Sequence, residues 1–428
     1  MPDSRFQPSV VYKAPFLVWW GLSLFLTKLG RLRQLDYELR DLETCVLPNM
    51  NGLAGTRQET LPVCGTLTHY LTHLGPEPLA GLRVKMMRGL FRGKVLDRYR
   101  LLDRWRVVGV DGTGHVSFRR RHCDHCLTQT HGNATYYYHN VLEAKLLTAS
   151  GLALSMGSEF IDNRHLDGRT DADAETLKQD SELKAFARLA PQLKRDYPQT
   201  PLCLAGDNLL ACGSTFDTCQ LNRWKYVLTF KAGRMPDLWG EFQLLLAASD
   251  QRPVVVVRPD GTRQEYRWVN GLVHVDAQQR HHELDAIVCV ETREGKTTTF
   301  AWLTNFAVTR EAVVAIGQHG GRDRWTIENG GFNAQKNGGY ELEHVYGARG
   351  DLLKCFYLLL QIAHLILQLV EKGSLLRQVA RQYGRTVVGL YGSLRNIARR
   401  LLECLRYVRL PPEAFDPARR FQIRLDSS

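Results

Sequence analysis

Three carboxylates stand where their surroundings suit chemistry: Asp111 closing VVGVD, Asp207 closing LCLAGD, and Glu328 in RWTIENGGFNAQKNGGYELEH (324–344). Asp111 and Asp207 each end an apolar run of buried-strand character and precede a turn or loop. Strands that finish side by side can bring such carboxylates together, and a later helix can deliver Glu328 to the same point. Carboxylates crowded in this way repel one another unless a cation lies among them. The expected ion is Mg2+, or Mn2+, held by carboxylates with water and phosphate oxygens completing its shell. Two such ions about 4 Å apart activate a water and stabilise the leaving oxygen in phosphodiester cleavage. Taken singly, each residue has a plainer reading: Asp111 as a turn residue in DGTG, Asp207 as a helix N-cap or loop Asp, and Glu328 as a helix-surface acid.

The composition allows this chemistry. With 428 residues the chain can bury a large core and form two or three domains. Hydrophobic residues at 44% and charged residues at 23% are those of an ordinary globular protein. The net charge of +12 and a pI near 9.3 point to an anionic partner, of which nucleic acid is the commonest. The excess sits at the ends. Residues 1–100 carry 14 basic and 8 acidic side chains, residues 351–428 carry 13 and 6, and the middle nets −1. A near-neutral core holding carboxylates between basic, DNA-gripping flanks fits this distribution, as do plain solvated helix faces.

The pattern along the chain divides it into a helical N-terminal region (1–100), an α/β core (101–350) with a β-rich insertion at about 250–305, and a helical basic C-terminal region (351–428). Residues 81–106 predict a helix with nine Lys/Arg against two Asp and an apolar face of Leu82, Met86, Leu90 and Val95. Arg83, Lys85, Arg88, Arg92 and Lys94 are its candidate DNA-backbone contacts. WRVVGVDGTG predicts a strand ending at Asp111 and a Gly turn, VSFRRRH a second strand, and LEAKLLTASGLALSMGSEFI a hairpin. Residues 170–197 predict a helix capped by Thr170 or Asp171, in which Lys178 and Glu182 form an i,i+4 pair. The apolar stretches 14–27 and 355–370 predict buried or interface helices rather than membrane spans: the first is too short to span a bilayer, and the second is interrupted by Gln361, His364 and Gln368.

Ten cysteines are scattered through the chain, and the polar N-terminus shows no secretory pattern, so reduced thiols and a cytoplasmic location are expected. In HCDHC (122–126), Cys123 and Cys126 have zinc spacing, with His122, His125 and His131 nearby. No second CxxC is present, so a reduced turn is the expectation.

VDGTG, HCDHCLTQT followed by TYYYHNVLEAKL, LKQDSELKAFARL, LCLAGDNL, NRWKYVLTFKAG, FAWLTN and RWTIENGGFNAQKNGGYELEH occur here in one order. In this the chain resembles the DDE transposases of bacterial insertion sequences, the type with an RNase H-like core and a β insertion before the last acid. The resemblance runs from AGTRQETLP through GYELEH, and the spacings of 96 residues from Asp111 to Asp207 and 121 from Asp207 to Glu328 suit it. It implies that Asp111, Asp207 and Glu328 are the catalytic triad and hold two Mg2+ ions. Of the family's Tyr–Arg–Glu–Lys signature, Arg324 and Glu328 are in place. Gly321 stands at the tyrosine position and Gln335 at the lysine position, with Lys336 one residue late. Arg324 and Lys336 become candidate phosphate contacts, Arg being suited to a bidentate grip. Trp302 in FAWLTN is a candidate to stack on an extruded base, or else a core residue of the insertion.

The activity implied is DNA transposition: binding of terminal inverted repeats, metal-dependent strand cleavage and transfer of the freed 3′ end to target DNA. Double-stranded DNA, a homodimer at synapsis and no membrane follow as expectations. The rival readings are an RNase H-like nuclease without strand transfer and a non-catalytic DNA-binding relative.

Overall fold

A computed structural model describes residues 5, 10–41, 43–166, 179–348, 350–416 and 425. The chain forms a mixed α/β protein in which helices from both ends cover a ten-stranded mixed sheet. Its strands are β1 (Arg106–Phe118), β2 (Leu127–His131), β3 (Ala134–Leu147), β4 (Ala153–Ile161), β5 (Leu202–Gly206), β6 (Lys225–Thr229), β7 (Val254–Val257), β8 (Arg263–Val275), β9 (His281–Arg293) and β10 (Lys296–Thr304). The order is β2-β3-β1-β5-β6-β10-β9-β8-β7, with β4 sharing the outer edge of β3. β3 lies antiparallel to β1 and to β4, whereas β5 and β6 run parallel to β1. Every residue of β5 (LCLAG) is buried, as a parallel strand covered on both faces requires. The β-rich stretch near 250–305 is the meander β7–β10, and it extends the same sheet because β10 pairs antiparallel with β6.

Three expectations are corrected here: the helix expected over 81–106 ends at Arg92, VSF of VSFRRRH is the end of β1 rather than a second strand, and the third concerns the Gly turn. VVGVD does not end at a DGTG turn. β1 continues through Asp111 to Phe118, paired with β3 along its length and irregular only between Gly114 and Val116. The Gly residues stay extended because β3 supplies ladder partners on that side.

The helices are α1 (Ala14–Leu26), α2 (Leu32–Leu39), α3 (Val46–Ala54), α4 (Cys64–Leu74), α5 (Glu77–Arg92), α6 (Glu182–Asp196), α7 (Gly213–Asn222) and α8 (Pro236–Ala248). A composite helix α9 follows at residues 313–337, then α10 (Leu352–Lys372), α11 (Ser374–Gln382), α12 (Val387–Tyr391) and α13 (Leu394–Tyr407). The helix expected over 170–197 begins at Glu182, where the Ser181 hydroxyl accepts the Lys184 N–H as its cap. Thr170, Asp171 and Lys178 lie outside the described residues.

The two terminal regions share one core. Phe16, Leu17, Trp20 and Leu24 of α1 join Leu67 and Leu71 of α4 and Phe356, Leu359, Ile362 and Ala363 of α10 in a single apolar cluster. The stretch Leu352–Gln382 is long and apolar enough to cross a membrane by length and composition, but 72% of its most apolar window is buried inside the fold. Its three polar interruptions also have partners. Gln368 bonds both the N–H and the C=O of Ala153, and Gln361 accepts from the buried Lys145 at 2.7 Å. Gln335 donates to Gln361 and contacts His364, each at 2.8 Å. A polar seam thus joins α10 to β3, β4 and α9.

α9 contains two π-helical stretches, Ile316–Gly321 and Ile327–Asn333, joined by a 3-10 turn at Arg322–Arg324. Its glycines let the helix backbone lie directly on the sheet. A Cβ at Gly320 would come within 2.6 Å of Val227, one at Gly321 within 2.4 Å of the Trp302 ring, and one at Gly331 within 3.2 Å of Lys145.

Candidate active site

Parallel pairing between β1 and β5 sets the first two carboxylates. Val110 pairs with Gly206, the last residue of β5, so Asp111 and Asp207 follow side by side where that strand stops. Asp111 stays in its strand, and its Oδ1 accepts from the Gly112 N–H at 3.0 Å. Asp207 leaves its strand in a turn in which Oδ1 accepts from the N–H groups of Leu209 and Leu210. α9 crosses above this point. Ile327 packs against Gly109 of β1, and the next residue is Glu328. A π-helical stretch is rare and often marks a functional site, because its widened turn re-aims side chains.

Arg324 joins these elements. Its Nη2 lies 2.8 Å from Glu328 Oε1 and its Nη1 lies 3.4 Å from Asp111 Oδ2. The Arg324 side chain is only 14% exposed, while that of Glu328 remains 46% exposed at the mouth of the cluster. Burial pushes the Asp111 carboxyl up to about 7, against the pull of Arg324, and repulsion from Glu328, Asp207 and Glu182 adds to the rise.

Glu182 is the member of this cluster that sequence reasoning assigned to a helix-surface pair. It occupies the first turn of α6, and its carboxylate fills the space a side chain at Gly112 would need: a Cβ there would meet Oε1 at 2.0 Å. Burial and, after it, the charge of Asp207 raise its pKa. The Asp-Ser-Glu sequence of a capped helix start was the available signal, but only the packing of α6 beside β1 shows where the acid goes.

The cluster offers hard oxygen donors, and the Arg324 guanidinium is the cation paired with two of them. The carboxylates are not drawn around one point here. Among the described residues, the one group of three or more His, Cys, Asp or Glu ligand atoms lying within 4.8 Å of each other is His122, Cys123, Cys126 and His139.

The remaining predicted contacts fall in different places. Lys336 pairs with Glu343 at 2.7 Å, and Gln335, where the resemblance calls for a lysine, is fully buried in the polar seam. Trp302, a candidate for base stacking, is 4% exposed, lies beside Phe300 and covers Gly321, so it stands as a core residue. Arg83, a candidate phosphate contact, is 3% exposed. It bonds Ser155 and Ser158 and lies 3.9 Å from Glu143, so it serves the interior. Lys85, Arg88, Arg92 and Lys94 are exposed, with Lys94 beyond the end of α5. Arg88 bonds the Asp196 carbonyl, and it and Lys85 line a cavity of about 760 Å³ with Arg188, Arg195 and Lys354.

Comparison with known proteins returned no matching family model and no matching curated protein.

Proposed function

We propose that the chain is a DNA transposase of the DDE type, which binds the ends of a mobile element and cleaves and transfers its strands with divalent metal. The observation that carries this reading is the β1–β5 register that sets Asp111 beside Asp207 under Glu328, with Arg324 bridging Asp111 and Glu328. The strand arrangement adds support. The order β4-β3-β1-β5-β6, with three antiparallel strands followed by two parallel to the first, suits an RNase H-like core. The meander β7–β10 then lies between the second and third acids.

Asp111, Asp207 and Glu328 would hold two Mg2+ or Mn2+ ions, with Glu182 adding negative charge at the rim. When bound, such ions supply charge neutralisation at the scissile phosphate and a nucleophile at neutral pH. Arg324 then has a second task. With metal bound to its acids, Arg324 would be available as a two-pronged donor to a phosphate oxygen. Exposed Lys85, Arg92 and Lys94 contribute to binding through the DNA backbone, so affinity should fall steeply with salt.

The test is a supercoiled-plasmid assay with a donor fragment carrying the element's ends, run with Mg2+ and Mn2+. Wild-type protein should cleave and join, while Asp111→Ala and Glu328→Ala should each lose both steps and retain DNA binding. Nicking without joined products would indicate a nuclease instead, and full activity in either variant would overturn the assignment.

A further inference from the structure

Away from the carboxylates, the turn between β1 and β2 and the strand β3 bring four soft ligand atoms together. Cys123 Sγ lies 3.4 Å from Cys126 Sγ and 3.2 Å from His139 Nε2. Cys126 Sγ lies 3.3 Å from His122 Nδ1 and 3.8 Å from His139 Nε2. A tetrahedral zinc with Zn–S of about 2.3 Å and Zn–N of about 2.0–2.1 Å sets its ligand atoms roughly 3.3–3.8 Å apart. These four pairs stand close to that spacing, and the four ligand atoms all lie within 4.8 Å of one another. Both cysteines are free thiols.

We infer that His122, Cys123, Cys126 and His139 form a structural zinc site. The sequence holds no second CxxC. The fourth ligand comes instead from a strand residue, His139, which β1–β3 pairing places opposite Val116 and so beside the turn. Two thiolates and two neutral imidazoles balance the dication, and binding releases the two thiol protons. No further counter-charge is needed at this half-buried position.

The surroundings hold the ligands in place. Asn163 donates from its side chain to the Cys126 carbonyl at 3.0 Å and from its backbone to the His125 carbonyl at 3.0 Å. A cavity of about 260 Å³ opens beside the cluster between Asp124, Asp162 and Lys354. The bound ion ties the β1–β2 turn to β3, stiffening the ribbon that carries Asp111. It also fixes the exposed run Arg119–Arg121, which leads directly into the cluster.

The experiment uses the full chain purified under reducing conditions without chelator. Elemental analysis should find one zinc per chain, reduced at least tenfold in Cys123→Ser/Cys126→Ser and in His139→Ala. Asp111→Ala should retain its zinc, which separates this site from the carboxylate cluster. Should the cluster variants fail to fold, exchange into the unaltered chain decides. Co2+ there should give thiolate-to-metal charge-transfer absorption and the intense visible bands of a tetrahedral centre. Zinc-free wild-type protein with a pale octahedral Co2+ spectrum would overturn the site. So would a Cys123–Cys126 disulfide found by mass spectrometry, or full zinc content in the double serine variant.

Discussion

Gly321 lies against the indole of Trp302 so closely that a Cβ would stand 2.4 Å from the ring. Both residues are buried, and the ring cannot retreat, because it packs in the core with Tyr266, Ile287 and Ile316. A tyrosine at 321, the residue the resemblance calls for, is therefore excluded by the tryptophan of the neighbouring strand. Gly321→Ala should destabilise the protein by about 1–3 kcal/mol, as overpacking does. In a double-mutant cycle with Trp302→Ala, much of that cost should vanish. Urea denaturation measures both, and additive costs would show that the two residues do not share the space.

Asp111 ties stability to pH in metal-free protein. The folded state keeps its proton up to about pH 7, while the unfolded chain releases it near pH ~4. The folded state thus binds the extra proton, so the contribution is fully present below about pH 4 and is lost as pH rises through 7. Asp111→Asn cannot ionise and escapes that loss. With EDTA present, its Tm should exceed wild type by roughly 2–4 °C at pH 8, with the gap closing toward pH 4. Mg2+ should raise the wild-type Tm at pH 8 and leave the Asn variant nearly unmoved.

The basic residues of α5 separate by burial. Arg83→Ala leaves Glu143 without one of its two basic neighbours inside the fold, where both acid and Lys145 are fully buried. It should cost about 3 kcal/mol or more in stability. Lys85→Glu/Arg92→Glu/Lys94→Glu should leave the Tm nearly unchanged and flatten the plot of log K for DNA against log salt by about two to three. An unchanged slope would remove these three from the DNA surface.

Gln335 and Lys336 give opposite expectations although they are adjacent. Gln335→Lys would bring a second ammonium to the buried seam already holding Lys145. A loss of about 3–5 kcal/mol is expected. Lys336→Ala removes a half-exposed pair with Glu343 and should cost under about 1 kcal/mol. Thermal melts of the two variants compare them directly, and a stable Gln335→Lys protein would mean that the seam admits water.

Residue types and their order in the chain were enough to predict the hairpin β3–β4, the β-rich stretch between the second and third acids, and the burial of both apolar helices. These features are local: alternation, apolar runs and turn residues act within a few positions. The same local patterns drew attention to Asp111, Asp207 and Glu328, and the resemblance added Arg324, four residues before Glu328.

What the sequence alone could not decide depends on register and close approach between distant segments. The Gly pairs of α9 gave no hint that they lie flat on β6, β10 and Lys145. VDGTG read as a turn because β3, which keeps it extended, lies about thirty residues further on. Glu182 joined the carboxylates only through the packing of α6 beside Gly112, and His139 joined His122, Cys123 and Cys126 only through antiparallel pairing. Arg83 looked like its surface neighbours because helical spacing shows which residues share a face, not which face the sheet covers. Sequence determines which side chains are present and how each short segment prefers to fold. Which of them meet is decided by strand register and packing between layers.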